Sequence, residues 1–184
     1  MLNRSNKTAI SAAVNALDIP PAATLADLGF GGGIGLALLL GRTGQGGQVH
    51  GVDLSATMLT AASRRFRREL GTGQLVLHHA PIERLPLATA SIDGAITLNT
   101  LYFLDDLAAA LSECARVLKP SGQLVIGLAD PGMMQRHPLT ACGFHVRPLT
   151  EVTNALHDAG LEVDQHRRVG ARQGAYHLLV TQPY

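Results

Sequence analysis

Two acidic residues on either side of a run of alternate glycines are the residues of this chain best suited to chemistry. The run reads Leu25-Ala26-Asp27-Leu28-Gly29-Phe30-Gly31-Gly32-Gly33-Ile34-Gly35. An apolar strand ends in an acid and passes through glycines into the first turn of a helix. Glycine lets a ligand approach the main chain because no Cβ stands in the way, and a helix start offers unpaired N–H groups. The dinucleotide spacing G-x-G-x-x-G does not fit: counted from Gly29 its third glycine would fall at Ile34, and from Gly31 at Leu36. The spacing is Asp-x-Gly-x-Gly-x-Gly, from Asp27 through Gly33. A ligand with a positive amino group explains Asp27 better than a pyrophosphate, which an acid would repel.

The second acid, Asp53, ends the segment Gly51-Val52-Asp53-Leu54-Ser55. It follows Gly33 by about 20 residues, the offset at which an acid binds ribose hydroxyls in open α/β sheets. Its plainer role would be a helix-start acid, with Ser55 as the alternative cap. Two acids at adjacent strand ends with a glycine turn between them suit an adenosine that carries a cationic amino-acid tail.

Positioning these groups takes a sheet with helices on its faces. Apolar spacing predicts helices over Asn6–Leu17, Ile34–Leu40, Ser55–Leu70, Asp105–Leu118 and Thr150–Ala159. It predicts strands over Thr24–Leu28, Gln48–Val52, Leu75–His79, Ile92–Leu98, Leu124–Leu128, Leu161–Arg168 and Tyr176–Thr181. Lys119-Pro120-Ser121-Gly122 reads as a helix stop. The alternation argues for a parallel sheet covered on both faces. Val169–Ala175 is too short for a right-handed crossover, so the last two strands should be antiparallel. The expected architecture is a Rossmann-like, doubly wound seven-stranded α/β sheet in one domain over residues 1–184. Residues 130–148 have no regular period and carry three prolines, and they read as a lid-like surface segment.

Composition narrows the partners. The chain has 184 residues, 46% hydrophobic and 16% charged, with a formal net charge of +1. That balance offers no global attraction to nucleic acid or to an anionic membrane. The longest apolar run, Leu36–Leu40, is far too short to span a bilayer, and MLNRSNKTAI has no apolar signal core. A cytoplasmic location is the default expectation. Cys114 and Cys142 form no C-x-x-C pair and have no histidine cluster at zinc spacing, so no metal site is expected.

Four blocks in order resemble the class I methyltransferases that use S-adenosylmethionine (SAM), in their broad small-molecule branch. They are Ala26–Gly33; Gly51–Ser55 with Met58-Leu59; Leu85-Pro86 with Ser91-Ile92-Asp93-Gly94-Ala95; and Arg116–Leu124. The resemblance spans about residues 20 to 165 and implies a sheet of seven strands with the last one antiparallel. It implies methyl transfer from SAM to a small-molecule acceptor, and a cofactor-binding set of Asp27, Gly29, Phe30, Gly31, Gly33, Asp53, Leu54, Met58, Pro81, Ile82 and Asn99. Gly29 and Gly31 would contact the methionine portion and Asp53 the ribose. Leu54 or Met58 would flank the adenine, and the Ile82 N–H would face its ring. Asn99 would lie near the methionine tail and the acceptor. Pro81 is a departure, since it stands where many relatives carry an acid that binds the adenine amino group. The resemblance leaves open a non-catalytic SAM-binding domain and, more remotely, a nucleotide-dependent oxidoreductase.

Other features have bland readings. Arg64, Arg65, Arg67 and Arg68 cover the helix side opposite Leu59, Ala62, Phe66 and Leu70, which reads as a solvated face. Leu98-Asn99-Thr100-Leu101-Tyr102-Phe103 is not the Asn-Pro-Pro-Tyr motif that grips planar amino groups. Tyr102, Asn99 and His137 are the candidates for an acceptor pocket, and no catalytic base is assigned.

Overall fold

Apolar strands that must bury both faces form the centre of the molecule. The computed structural model describes residues 2–134, 145–170 and 176–184. Its helices are α1 (Leu2–Ala16), α2 (Ile34–Arg42), α3 (Ala56–Arg65), α4 (Arg67–Gly71), α5 (Leu107–Val117), α6 (Pro131–Met134) and α7 (Leu149–Asp158). Its strands are β1 (Thr24–Leu28), β2 (Gln48–Asp53), β3 (Leu75–His79), β4 (Ile92–Leu98), β5 (Leu118–Ala129), β6 (Leu161–Val169) and β7 (Tyr176–Pro183). The sheet order is β3-β2-β1-β4-β5-β7-β6. Neighbouring strands from β3 to β5 run parallel. β7 runs antiparallel to both β5 and β6, as the short link before it requires.

Each face of the sheet has its own apolar layer. Leu17, Leu25, Leu36, Leu39, Ala62 and Phe66 pack on one side, where α1, α2 and α3 lie. Leu28, Leu111, Val117, Ile126, Val152 and Leu156 pack on the other, against α5 and α7. Cys114 lies inside this second layer, and burial pushes its thiol up to about 12, so it behaves as a small apolar side chain. The order of strands reverses between β1 and β4. Such a point leaves a crevice at the carboxyl ends of the strands, where open sheets bind ligands.

Three local expectations change. The helix expected over Ser55–Leu70 breaks at Phe66 (φ −109°, ψ 36°) into α3 and α4. The Phe66 ring is pulled inward to pack below the glycine turn, with Cε2 3.2 Å from the place a Gly33 Cβ would take. β5 begins at Leu118, six residues before the expected Leu124, because Lys119-Pro120-Ser121-Gly122, expected only to stop the helix, bulges along β4. Ile92 pairs with Leu118 and Gly94 already with Gln123. The Lys119 ammonium meets Asp93 at 2.7 Å across this bulge. In the expected lid, residues 131–134 form α6 and residues 145–148 are anchored. The His145 N–H donates to the Tyr102 carbonyl, and the Arg147 guanidinium donates to the Leu101 and Leu104 carbonyls at 2.7 Å each. His137 and Cys142 lie outside the described residues.

The third and fourth resembling blocks lock together. Arg116 donates to the Leu85 and Leu87 carbonyls and pairs with Glu113, which accepts the Leu85 N–H at 2.8 Å. The Arg116 guanidinium holds the Glu113 carboxyl below its ordinary range. This pins the Leu85–Leu87 loop to α5 and fixes the short 3-10 turn Ile82–Arg84 that precedes it.

Candidate cofactor site

The glycine turn is held from three sides. Gly29 N–H donates to the Val52 carbonyl at 2.7 Å. Gly31 N–H donates to Asp53 Oδ2 at 2.8 Å, while Asp53 Oδ1 accepts the Ser55 N–H at 2.8 Å. Ser55 itself caps α3 by accepting from Met58 N–H. Asp53 therefore ties the glycine turn to the start of α3 and is not the cap itself. A carboxylate has about four lone-pair positions, so two remain for ligand hydroxyls.

The third tether is Arg65, whose guanidinium donates to the Gly32 carbonyl at 3.2 Å and lies 4.9 Å from the Phe66 ring centre. The arginine run is exposed, as its solvated-face reading expects, and Arg65 adds this one contact to the turn. Sequence spacing gave no hint of it, because the bond spans 33 positions.

Gly29 has φ +77°, a region other residues avoid, and a Cβ there would come within 2.5 Å of Thr100 Cγ2. The end of β4 thus lies directly against the glycine turn. Nothing stands within 4 Å of the Cβ positions of Gly31 and Gly32, so the outer side of the turn is open to a ligand.

Asp27 points the other way. It is 4% exposed, and its carboxylate lies under the first turn of α2, where the Leu36 N–H reaches it. Burial first, and the nearby Asp53 charge second, push its carboxyl up to about 7, against the lowering effect of that N–H. A Cβ on Gly35 would overlap Asp27 Oδ2 and come within 2.9 Å of Ile96 Cδ1. Gly35→Ala should therefore destabilise the protein by about 1–3 kcal/mol, the scale of overpacking a filled core. A thermal melt within about 1 °C of wild type would show that α2 shifts freely to make room.

The remaining predicted site residues lie past the carboxyl ends of β1, β2, β3 and β4. Leu54, just past β2, is 68% exposed and presents a large apolar side chain to solvent. Met58 is partly buried one turn into α3. Phe30 is buried in the layer below the turn. Pro81 has φ −73° and ψ 155° and leads into the Ile82–Arg84 turn, where Ile82 is buried. The neighbouring Ala80 N–H donates to the Asp53 carbonyl, which holds this loop beside β2. Asn99 has φ +58°, turning the chain at the end of β4. Tyr102 does not join them. It is buried, and its hydroxyl lies between the Ala129 N–H at 2.6 Å and the Ala129 carbonyl at 3.3 Å, which ties the β4 loop to the end of β5. Among the described residues, no group of three or more metal-ligating side chains occurs, and no helix is long and apolar enough to cross a membrane. A cleft of about 740 Å³ around Gly44–Gln48 and Thr72–Gln74 lies at the amino ends of β2 and β3, away from every site residue.

A seven-stranded sheet with β7 antiparallel, and a glycine turn between two acids at its reversal point, define the class I methyltransferase fold. Residues 26–126 match the methyltransferase domain family, and the chain belongs to that family. It is 39% identical over 120 residues to an uncharacterized 37.1 kDa transposon protein of Streptomyces fradiae, covering 65% of this chain and 34% of the relative. It is 33% identical over 113 residues to an O-methyltransferase of Pyrenophora dematioidea, covering 61% of this chain and 42% of the relative. The chain thus spans less than half the length of these two relatives. A SAM-dependent methyltransferase of Aquifex aeolicus superposes with a TM-score of 0.79 at 22% identity, over 98% of this chain and 93% of the other.

Proposed function

We propose that this protein binds SAM and transfers its methyl group to a small-molecule acceptor. The observation that carries this reading is Asp53, whose carboxylate grips the Gly31 N–H while the turn beside it stays open. In this reading Asp53 also takes the ribose hydroxyls, and the exposed side chain of Leu54 covers one face of the adenine. Gly29 and Gly31 admit the methionine portion to the main chain, and the negative field of Asp27 and Asp53 favours a cationic ligand. When bound, SAM supplies a methyl carbon on a sulfonium, so an acceptor lone pair forms the new bond as the C–S pair falls to sulfur, and any acceptor proton passes to water. The chain's task is to hold the acceptor in line and exclude competing water, which lowers the barrier by several kcal/mol. The family fold hosts many chemistries, so the acceptor follows from the pocket and not from the fold. The relative named an O-methyltransferase favours an oxygen nucleophile.

Calorimetry with SAM, S-adenosylhomocysteine and NAD tests the reading. Both sulfur ligands should bind and NAD should not. NAD binding more tightly than SAM would sink it.

A further inference from the structure

Three residues far apart in sequence meet beside the end of β4. The Tyr176 hydroxyl donates to Asn6 Oδ1, and Asn99 Nδ2 donates to the Tyr176 hydroxyl oxygen at 3.3 Å. They come from α1, the start of β7 and the end of β4. Asn99 precedes Thr100, whose side chain covers Gly29, so this cluster adjoins the glycine turn. The Tyr176 ring is buried against Ala9 and Ala129, with Leu98 and Met134 beside it.

A phenol has one proton, and that proton sets the polarity of the cluster. The Tyr176 hydroxyl gives it to Asn6 and so must accept from Asn99. Burial pushes the Tyr176 hydroxyl above its ordinary range, which keeps the proton in place. Both amides are thereby oriented. Asn6 keeps Nδ2, a donor, and Asn99 keeps Oδ1, an acceptor; neither atom has a further hydrogen bond among the described residues. Asn6 and Asn99 are each only partly buried, and neither of these atoms is among the fully buried polar atoms that lack a partner. No charged side chain among the described residues bonds any of the three. A carboxylate or ammonium placed here would lose water without gaining an opposite charge. A neutral hydroxyl both donates and accepts, and it matches the donor on one side and the acceptor on the other.

We propose that Asn6, Tyr176 and Asn99 form the polar wall of the acceptor site, and that it selects an uncharged hydroxyl compound. Asn6 Nδ2 donates to the hydroxyl oxygen, Asn99 Oδ1 accepts a hydrogen bond from the hydroxyl, and Tyr176 is the positioning residue that holds both amides. This assignment rests on the SAM reading above.

The test is calorimetry on the protein saturated with S-adenosylhomocysteine, titrated with three probes of similar size: resorcinol, benzoate and benzylammonium. Resorcinol should bind about tenfold more tightly than either ion, the value of one well-made hydrogen bond. Tyr176→Phe keeps the ring in its apolar setting and should abolish most of that preference. Asn6→Asp still accepts from Tyr176 but replaces the donor with a negative oxygen, so it should reverse the order in favour of benzylammonium. The proposal is overturned if benzoate or benzylammonium matches resorcinol in the wild type, if no probe binds, or if both variants keep the wild-type order. A wild type that fails to bind S-adenosylhomocysteine at all shows separately that the SAM reading has failed, and this one with it.

Discussion

Asp27→Asn should make the protein more stable above neutral pH while weakening its hold on SAM. Burial pushes the Asp27 carboxyl from its ordinary 3.8 up to about 7 in the folded protein. Between those values the folded state binds the proton and the unfolded state does not. The stability tied to the protonated form is therefore fully present below about pH 4 and is lost as pH rises through about 7. The difference corresponds to roughly 4 kcal/mol as an upper bound. Asparagine stays neutral at every pH and keeps an oxygen for the Leu36 N–H. The wild-type melting temperature should fall between pH 5 and pH 8, and the variant's should not. At roughly 2–4 °C per kcal/mol for a domain of this size, the gap at pH 8 should reach about 10 °C. Binding of a cationic ligand opposes this loss by favouring the charged carboxylate. SAM affinity in the wild type should accordingly rise from pH 6 to pH 8, and in Asp27→Asn it should stay flat and lower. Parallel melting curves for the two proteins across that range would refute the assignment. The cost in stability of a buried acid that serves a ligand is a common trade between stability and function.

Asp53→Ala should weaken SAM by about 1.5–3 kcal/mol, roughly 10- to 150-fold, the range for hydrogen bonds to a charged acceptor. The effect has two sources in the structure: the ribose contact proposed for Asp53 is lost, and the Gly31 N–H loses the acceptor that shapes the turn. Ser55 still caps α3, so the fold should survive. Asp53→Asn keeps one acceptor oxygen and should fall between the two. SAM affinity within twofold of wild type, with an unchanged melt, would reduce Asp53 to an acid that tidies the β2–α3 turn.

What was legible in the sequence is what local periodicity and spacing encode. The apolar run Leu25–Leu28, the acid near its end and the glycines after it are enough to place β1 and the turn beyond it. Each strand of the sheet could be placed, and the short link after β6 dictated that β7 runs antiparallel. These features depend on neighbours a few residues away, or on how far a connection can reach. Tertiary packing decided the rest. The arginine run is exposed as read, but the single helix expected around it breaks where Phe66 packs under Gly33, and Arg65 reaches Gly32. Tyr102 stood in the right place to meet an acceptor, but the approach of β5 takes up its hydroxyl at Ala129. Tyr176 carried no signal at all. Its partner Asn6 lies 170 positions away, and the two meet only because β7 inserts between β5 and β6 and brings its first residue to the end of β4. Periodicity reports which side of an element is buried, but a hydrogen bond between distant elements exists only once the sheet has closed around them.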